Sequence, residues 1–180
     1  MDVNLGLAFS TFAAIFNTDA ESVKRAWRYL REAGLAPEGK RGRGGRPAEA
    51  TPEAAFNLLV GMLATDARER TGDSAIGYVM LLAKGSRCGL TGALDFRSAG
   101  ARILADPKIA ARVGAITVTR NEARAAIIYR HDGQTTTQEF SMPNYKAGHV
   151  RVDAVFDGDF VRDLAVVFAD AEDSDWTPEA

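Results

Sequence analysis

The sequence predicts an α+β fold: helices in the first half, then a small antiparallel sheet and a closing helix. Apolar residues recur at helical spacing as far as residue 104. From Val113 the spacing changes to two, and the turn signal His131-Asp132-Gly133 separates two of the alternating segments. With 180 residues, of which 46% are hydrophobic, the chain is long enough to bury a substantial core.

The first well-defined helix is predicted to begin at Thr18 and to end at Gly34. Thr18 and Glu21 fit a capping box, in which each side chain binds a free backbone N–H of the first turn. Its apolar positions are Val23, Ala26, Trp27, Leu30 and Ala33. Its candidate DNA contacts are Ser22, Lys24, Arg25, Arg28, Tyr29 and Arg31. A short apolar segment, residues 9–16, precedes it, and the pair is predicted to form a helix-turn-helix.

A glycine-rich basic loop follows this helix, and its cationic residues are Lys40, Arg41, Arg43 and Arg46. Between Lys24 and Arg46 there are eight bases and two acids, giving 8 − 2 = +6, whereas the whole chain carries −2. A local positive excess of this kind is typical of nucleic-acid contacts. We expect the loop to contact phosphates, or to enter a minor groove as the similar Arg-Gly-Arg core of an AT-hook does. The alternatives are a solvated helix face and a charged, flexible linker.

The next elements are predicted from caps and apolar spacing. Thr51-Pro52-Glu53 begins a helix that is apolar nearly all round as far as Ala64, so it must be buried in a monomer or between subunits. A helix over 74–84 has Ile76, Val79, Met80 and either Leu82 or Leu81 inward, and Gly85 as its C-cap. A third helix covers 94–104. Strands follow at 116–120, 125–129, 134–140 and 151–156, before a last helix at 160–168.

Charge and pattern divide the chain into three regions. Residues 1–50 form the helix-turn-helix module with the basic loop, 51–170 form an α+β domain for oligomerisation or partner binding, and 171–180 form an acidic tail. From Asp157 onward one base and eight acids give 1 − 8 = −7. This acidic region either keeps the chain soluble or competes with DNA for the basic loop.

The sequence offers no catalytic motif, so no enzyme activity, metal or cofactor is predicted. The histidines, His131 and His149, do not form a metal-binding pair, and Cys88 is interpreted as a small buried residue. The acids Asp66, Glu69, Asp73 and Asp95 could gather a magnesium ion, but scattered carboxylates are expected in a chain that is 26% charged. Without a transmembrane stretch or a leader pattern, we expect a cytoplasmic protein that does not enter membranes.

Residues 29–66, about a fifth of the chain, resemble a segment of uncharacterised prophage-type and gene-transfer-agent-type bacterial proteins. The shared pattern is a helix that ends in a leucine-glycine phrase, a Gly-Arg-Gly loop and a Thr-Pro cap; the later hairpin and closing helix are similar in layout. Residues 47–50 depart from the pattern. The resemblance implies DNA binding in a phage-like regulatory setting. The positions carried over as DNA contacts are Arg25, Arg28, Arg41, Arg43 and Arg46.

These observations predict a sequence-specific transcriptional regulator that binds double-stranded DNA as a homodimer, with RNA polymerase or a DNA-bending protein as a further partner. A structural DNA-packaging adaptor that resembles a small terminase subunit is the alternative, because it also combines a helix-turn-helix with an oligomerisation region. A third class, a metal-dependent enzyme that modifies nucleic acids, would reveal itself by DNA turnover.

Overall fold

The computed structural model describes residues 3–4, 9–10, 12–14, 16–38, 49–64, 71–143 and 152–173. It has the predicted mixed α+β architecture, with a five-stranded antiparallel sheet and a separate two-stranded sheet. The elements in chain order are β1 (Val3–Asn4), α1 (Ala20–Glu32), β2 (Glu49–Ala50), α2 (Pro52–Ala64), α3 (Thr71–Val79), β3 (Leu82–Ala83), α4 (Phe96–Ala105), α5 (Pro107–Ala110), β4 (Val113–Thr119), β5 (Arg124–His131), β6 (Gln134–Ser141), β7 (Asp153–Asp157) and α6 (Gly158–Asp173).

Helix α1 begins one residue later than predicted, because Asp19 and not Thr18 is its N-cap. The carboxylate of Asp19 accepts hydrogen bonds from the Ser22 backbone N–H at 2.8 Å and from the Ser22 hydroxyl at 2.7 Å. A carboxylate has more acceptor sites than a hydroxyl, and its negative charge suits a helix N-terminus. The predicted end is confirmed, since Gly34 takes the left-handed φ of +72° that commonly follows a helix.

Helix α2 lies at the centre of the molecule. Its predicted start is confirmed, because the Thr51 hydroxyl accepts a hydrogen bond from the Ala54 N–H at 3.1 Å. Phe56, Leu59 and Val60 are each at most 1% exposed. Helices α1, α3 and α4 pack around α2 within one chain. The interpretation of α2 as a surface shared between subunits is therefore wrong, and the alternative, a buried core helix, is confirmed.

The segment after α2 differs most from the prediction. The expected helix over 74–84 ends at Val79, and residues 82–83 form strand β3. Leu82 pairs with Ser141 of β6, so a partner far along the chain decides the local structure. Ile76 and Met80, predicted inward, are 46% and 64% exposed. Of the two leucines left open by the prediction, Leu81 is buried and Leu82 is 46% exposed. Gly85 has φ +90° in the turn after β3 and is not a helix cap.

Helix α4 begins at Phe96, two residues later than the predicted start at residue 94, because Asp95 is its N-cap. The Asp95 carboxylate accepts hydrogen bonds from the Ser98 backbone N–H at 2.7 Å and from the Ser98 hydroxyl at 2.8 Å. Asp95 and Asp19 therefore use the same Asp-x-x-Ser cap. Gly100 of α4 lies against the Phe56 ring with no room for a Cβ atom, so α4 and α2 approach closely.

The main sheet has the strand order β3-β6-β5-β4-β7, and all described pairings are antiparallel. The predicted hairpin between β5 and β6 is confirmed, with positive φ at both Asp132 (+50°) and Gly133 (+76°). The predicted strand at 151–156 is β7, and the last helix is longer than 160–168. Buried side chains on one sheet face join the helical core, and they include Ile116, Val118, Ile127 and Phe140.

The segment just before α1 packs against β7, an edge strand of the main sheet, and against α6. The Phe16 ring lies 6.3 Å from that of Phe156 and 5.7 Å from that of Phe160. At the other end of α1, the buried amide of Asn57 donates to the Leu35 carbonyl at 2.8 Å. Both ends of α1 are thus held against later parts of the chain. The division into regions 1–50, 51–170 and 171–180 stays a prediction.

Candidate nucleic-acid interface

Helix α1 presents a basic face opposite its buried face, as its spacing predicts. The buried residues are Val23, Ala26, Trp27 and Leu30, none more than 5% exposed. The exposed bases are Lys24, Arg25, Arg28 and Arg31, and we call them the basic face of α1. Against Glu21 and Glu32 they give the helix a charge of 4 − 2 = +2. Because one side of α1 is buried, the cations on its opposite side face solvent.

Two of these cations make contacts within the helix. Lys24 Nζ lies 2.7 Å from Glu21 Oε1, an exposed ion pair one turn apart that contributes little to stability. The guanidinium carbon of Arg28 lies 5.3 Å from the centre of the Tyr29 ring, a cation–π geometry. Stacking on the half-buried ring limits the rotamers of Arg28. An arginine held in this way loses less entropy when it binds a base or a phosphate.

Ser22, a predicted phosphate contact, lies at the N-terminal end of α1, where its hydroxyl donates to Asp19. The same hydrogen bond is the largest cause that lowers the pKa of Asp19, and the Ser22 backbone N–H acts in the same direction. Asp19 is therefore ionised at neutral pH and repels phosphate from this end of the helix. The basic face is best suited to DNA from Lys24 to Arg31.

The loop residues Lys40, Arg41, Arg43 and Arg46 lie outside the described residues, so their roles stay predictions. The structure describes both flanks of the loop. Leu35 is buried after α1, and at the other flank β2 pairs with β1, with Asn4 opposite Glu49. Lys40 follows Arg31 by nine positions, so the chain length allows at most about 30 Å between the start of the loop and the basic face of α1.

Within the described residues, the other reactive side chains are not grouped into a site. His131 is exposed at the end of β5, with Nδ1 3.2 Å from Arg112 Nη2 and Nε2 3.5 Å from Asp132. Cys88 is buried, as predicted. Asp95 caps α4, whereas Asp66, Glu69 and His149 lie outside the described residues. Across the part of the chain that the structure describes, no three His, Cys, Asp or Glu residues are grouped to hold a metal ion.

Sequence reasoning missed an ion cluster on the sheet. Glu139 of β6 lies between Lys84, which follows β3, at 3.0 Å, and Arg124 of β5. The hydrogen bond from Lys84 is the largest cause that lowers the pKa of Glu139; burial opposes it and Arg124 adds to it. The three residues are 84, 124 and 139 in sequence, so no local signal reveals the cluster. The cluster pairs one carboxylate with two cations and keeps a charge of 2 − 1 = +1.

Comparisons with protein-family models, curated proteins and solved structures find no match to this chain. Among the described residues, no helix combines the length and the apolar character needed to cross a membrane. The functional interpretation therefore depends on the geometry and charge of the basic face of α1.

Proposed function

We propose that this chain is a sequence-specific DNA-binding transcriptional regulator of phage-like type, with no catalytic step, acting in the cytoplasm. The observation that carries the proposal is the basic face of α1, on a helix whose other face is fixed in the core by Trp27. A turn supports the helix-turn-helix interpretation: Phe16 N–H donates to the Phe12 carbonyl at 2.8 Å, and Asn17 has φ +48°. The resemblance of residues 29–66 to prophage-type proteins supports the regulatory setting.

In this proposal α1 enters the major groove of double-stranded DNA. Arg25 and Arg28 donate to guanine O6 and N7, the commonest specific arginine contact. Lys24, Tyr29 and Arg31 contact phosphates on either side and set the register. The basic loop adds phosphate contacts next to the groove that α1 occupies. A duplex selected by the protein from a random library supplies the target for the tests below.

Replacing either Arg25 or Arg28 by alanine is expected to reduce discrimination between target and random DNA by about 1–3 kcal/mol if that arginine reads a base. Fluorescence anisotropy at one salt concentration measures both affinities. Lys108→Ala removes a positive charge from an exposed residue of α5 and serves as the control, with discrimination unchanged. Equal losses on target and random DNA would mean that these arginines only position the backbone.

Replacing Arg41, Arg43 and Arg46 together by alanine is expected to weaken binding to every DNA sequence. Each phosphate contact that is lost should reduce the slope of log K against log salt by about 0.9, because fewer counterions are released on binding. The measurement is a set of anisotropy titrations at several salt concentrations. A slope equal to that of the unaltered protein would show that this loop does not touch phosphates.

A further inference from the structure

Two arginines from different segments converge on one turn of the loop between β3 and α4. The Nη1 atom of Arg87, a loop residue, donates to the Gly92 carbonyl at 3.1 Å. The Nη1 atom of Arg102, from α4, donates to the Thr91 carbonyl at 2.7 Å and lies 3.7 Å from the place that a Cβ atom of Gly92 would take. Both guanidinium groups are therefore held beside the same residue, Gly92.

Neither arginine forms an ion pair with a carboxylate in the part of the chain that the structure describes. Both residues are exposed, and Asp95, the acid of this loop, is engaged as the N-cap of α4. A guanidinium has five N–H donors, so each arginine keeps donors for a ligand besides the one that binds the turn. Like charges held together repel each other, and an anion placed between them replaces this repulsion by attraction.

The loop that carries this turn is fixed from below by buried groups. The buried side chain of Gln138, on β6, donates from Nε2 to the Lys84 carbonyl at 2.9 Å and accepts at Oε1 from the Gly89 N–H at 3.1 Å. The Gly92 N–H donates to the carbonyl of the buried Cys88 at 2.7 Å. The carbonyls that orient the two arginines are thus in place before any ligand arrives, which lowers the entropy cost of binding.

The backbone of the loop is also strained. Ser86, the residue before Arg87, has φ +79°, a left-handed conformation that is uncommon outside glycine, and Gly85 before it has φ +90°. Residues held in such conformations occur preferentially at binding sites, where the surrounding structure stabilises them. The strain at Ser86 therefore points to a function for this loop beyond joining β3 to α4.

We propose that Arg87 and Arg102 form a binding site for a phosphate group. A guanidinium presents parallel N–H donors that match two oxygens of a phosphate, and a phosphate has enough oxygens to bind both arginines at once. The same chemistry is offered by a small phosphate or phosphate ester and by the backbone of DNA. The site lies between β3 and α4 and includes no residue of α1, so it goes beyond the proposed function.

Titration of the full chain with inorganic phosphate, at constant ionic strength and without DNA, tests the inference. The backbone amide signals of residues 85–92 in two-dimensional NMR spectra should shift and reach saturation, with a dissociation constant of about 1 mM. Arg87→Gln and Arg102→Gln, made separately, should each weaken phosphate binding about 10-fold or more, because charge-assisted hydrogen bonds are lost. Arg130→Gln is the matched control, since it removes the same charge from an exposed residue of β5, and it should leave phosphate binding unchanged.

A second pair of variants separates binding from loop structure. Arg87→Lys and Arg102→Lys keep the charge and a donor for the turn carbonyl but lose the planar fork. They should bind phosphate more weakly than the unaltered protein and more tightly than the glutamine variants. Thermal melting checks that each variant is folded.

Anisotropy titrations of random duplex DNA at several salt concentrations distinguish the two sources of phosphate. A slope of log K against log salt that falls by about 0.9 in each glutamine variant assigns the site to the DNA backbone. Saturable binding of inorganic phosphate with an unchanged slope assigns it to a small phosphate ligand. An unchanged slope together with no saturable phosphate binding, or with binding that both glutamine variants keep, would overturn the inference. Selected DNA would still bind in that case if the proposed function holds, so the two failures are distinguishable.

Discussion

Replacing Trp27 by alanine is expected to lower the free energy of unfolding by about 3–5 kcal/mol, as emptying a large buried site typically does. Trp27 is 3% exposed on the buried face of α1, and the ring of Phe9 meets it edge-on with centroids 6.1 Å apart. Without the indole, the packing that holds α1 on α2 and α3 is lost. Urea unfolding followed by circular dichroism measures the effect.

Trp27→Phe is the matched comparison. It keeps an aromatic ring in the core and removes the indole Nε1, which is buried and has no hydrogen-bond partner. Removing an unsatisfied donor offsets part of the lost packing. The free energy of unfolding should therefore fall clearly less with phenylalanine at this position than with alanine. A Trp27→Ala variant with normal stability but lost DNA binding would mean that the two faces of α1 have been assigned the wrong way round.

Replacing Gly158 by alanine is expected to lower the free energy of unfolding by about 3 kcal/mol, the upper part of the usual range for overpacking. Gly158 is buried at the start of α6, where a Cβ atom would overlap the Val113 carbonyl oxygen and lie 3.0 Å from that of Gly114. These obstructing atoms belong to the backbone of β4, so no side-chain rotation relieves the clash. The change should appear as a lower urea midpoint.

Gly114→Ala is the control from the same place. Gly114 lies in the bulge of β4, and its Cβ would meet only the Ile128 carbonyl oxygen, at an ordinary 3.6 Å. Alanine there should leave stability unchanged or slightly raised, since it restricts the unfolded chain without a clash. Equal stability of the Gly158 and Gly114 variants would contradict the close approach of α6 to β4.

The features that the sequence predicted correctly depend on neighbouring residues. The buried and basic faces of α1 follow from side chains three and four positions apart, which share one side of a helix. The hairpin at Asp132-Gly133 follows from backbone angles that these two residues tolerate. The wrong prediction of Thr18 as the N-cap also concerns neighbouring residues. The carboxylate of Asp19, the next residue, accepts both hydrogen bonds from Ser22.

The features that sequence reasoning missed depend on partners far along the chain. Residues 82–83 extend a helical pattern, yet they form β3 because β6 offers them backbone hydrogen bonds at residues 140–141. Met80, which the helical pattern turns inward, lies just before β3 and is left exposed. Periodicity within one segment contains no information about such a partner, so tertiary context overrides the local preference.

The sequence by itself determined the α+β class, the need for α2 to be buried, and which side of α1 carries its cations. These follow from hydrophobic spacing, because an apolar face must leave water wherever the helix lies. Only the tertiary structure decided that one chain covers α2, and that Met80 and Leu82 are among the apolar side chains left exposed. Which apolar residues remain exposed depends on how the elements pack, and packing joins segments that the sequence keeps apart.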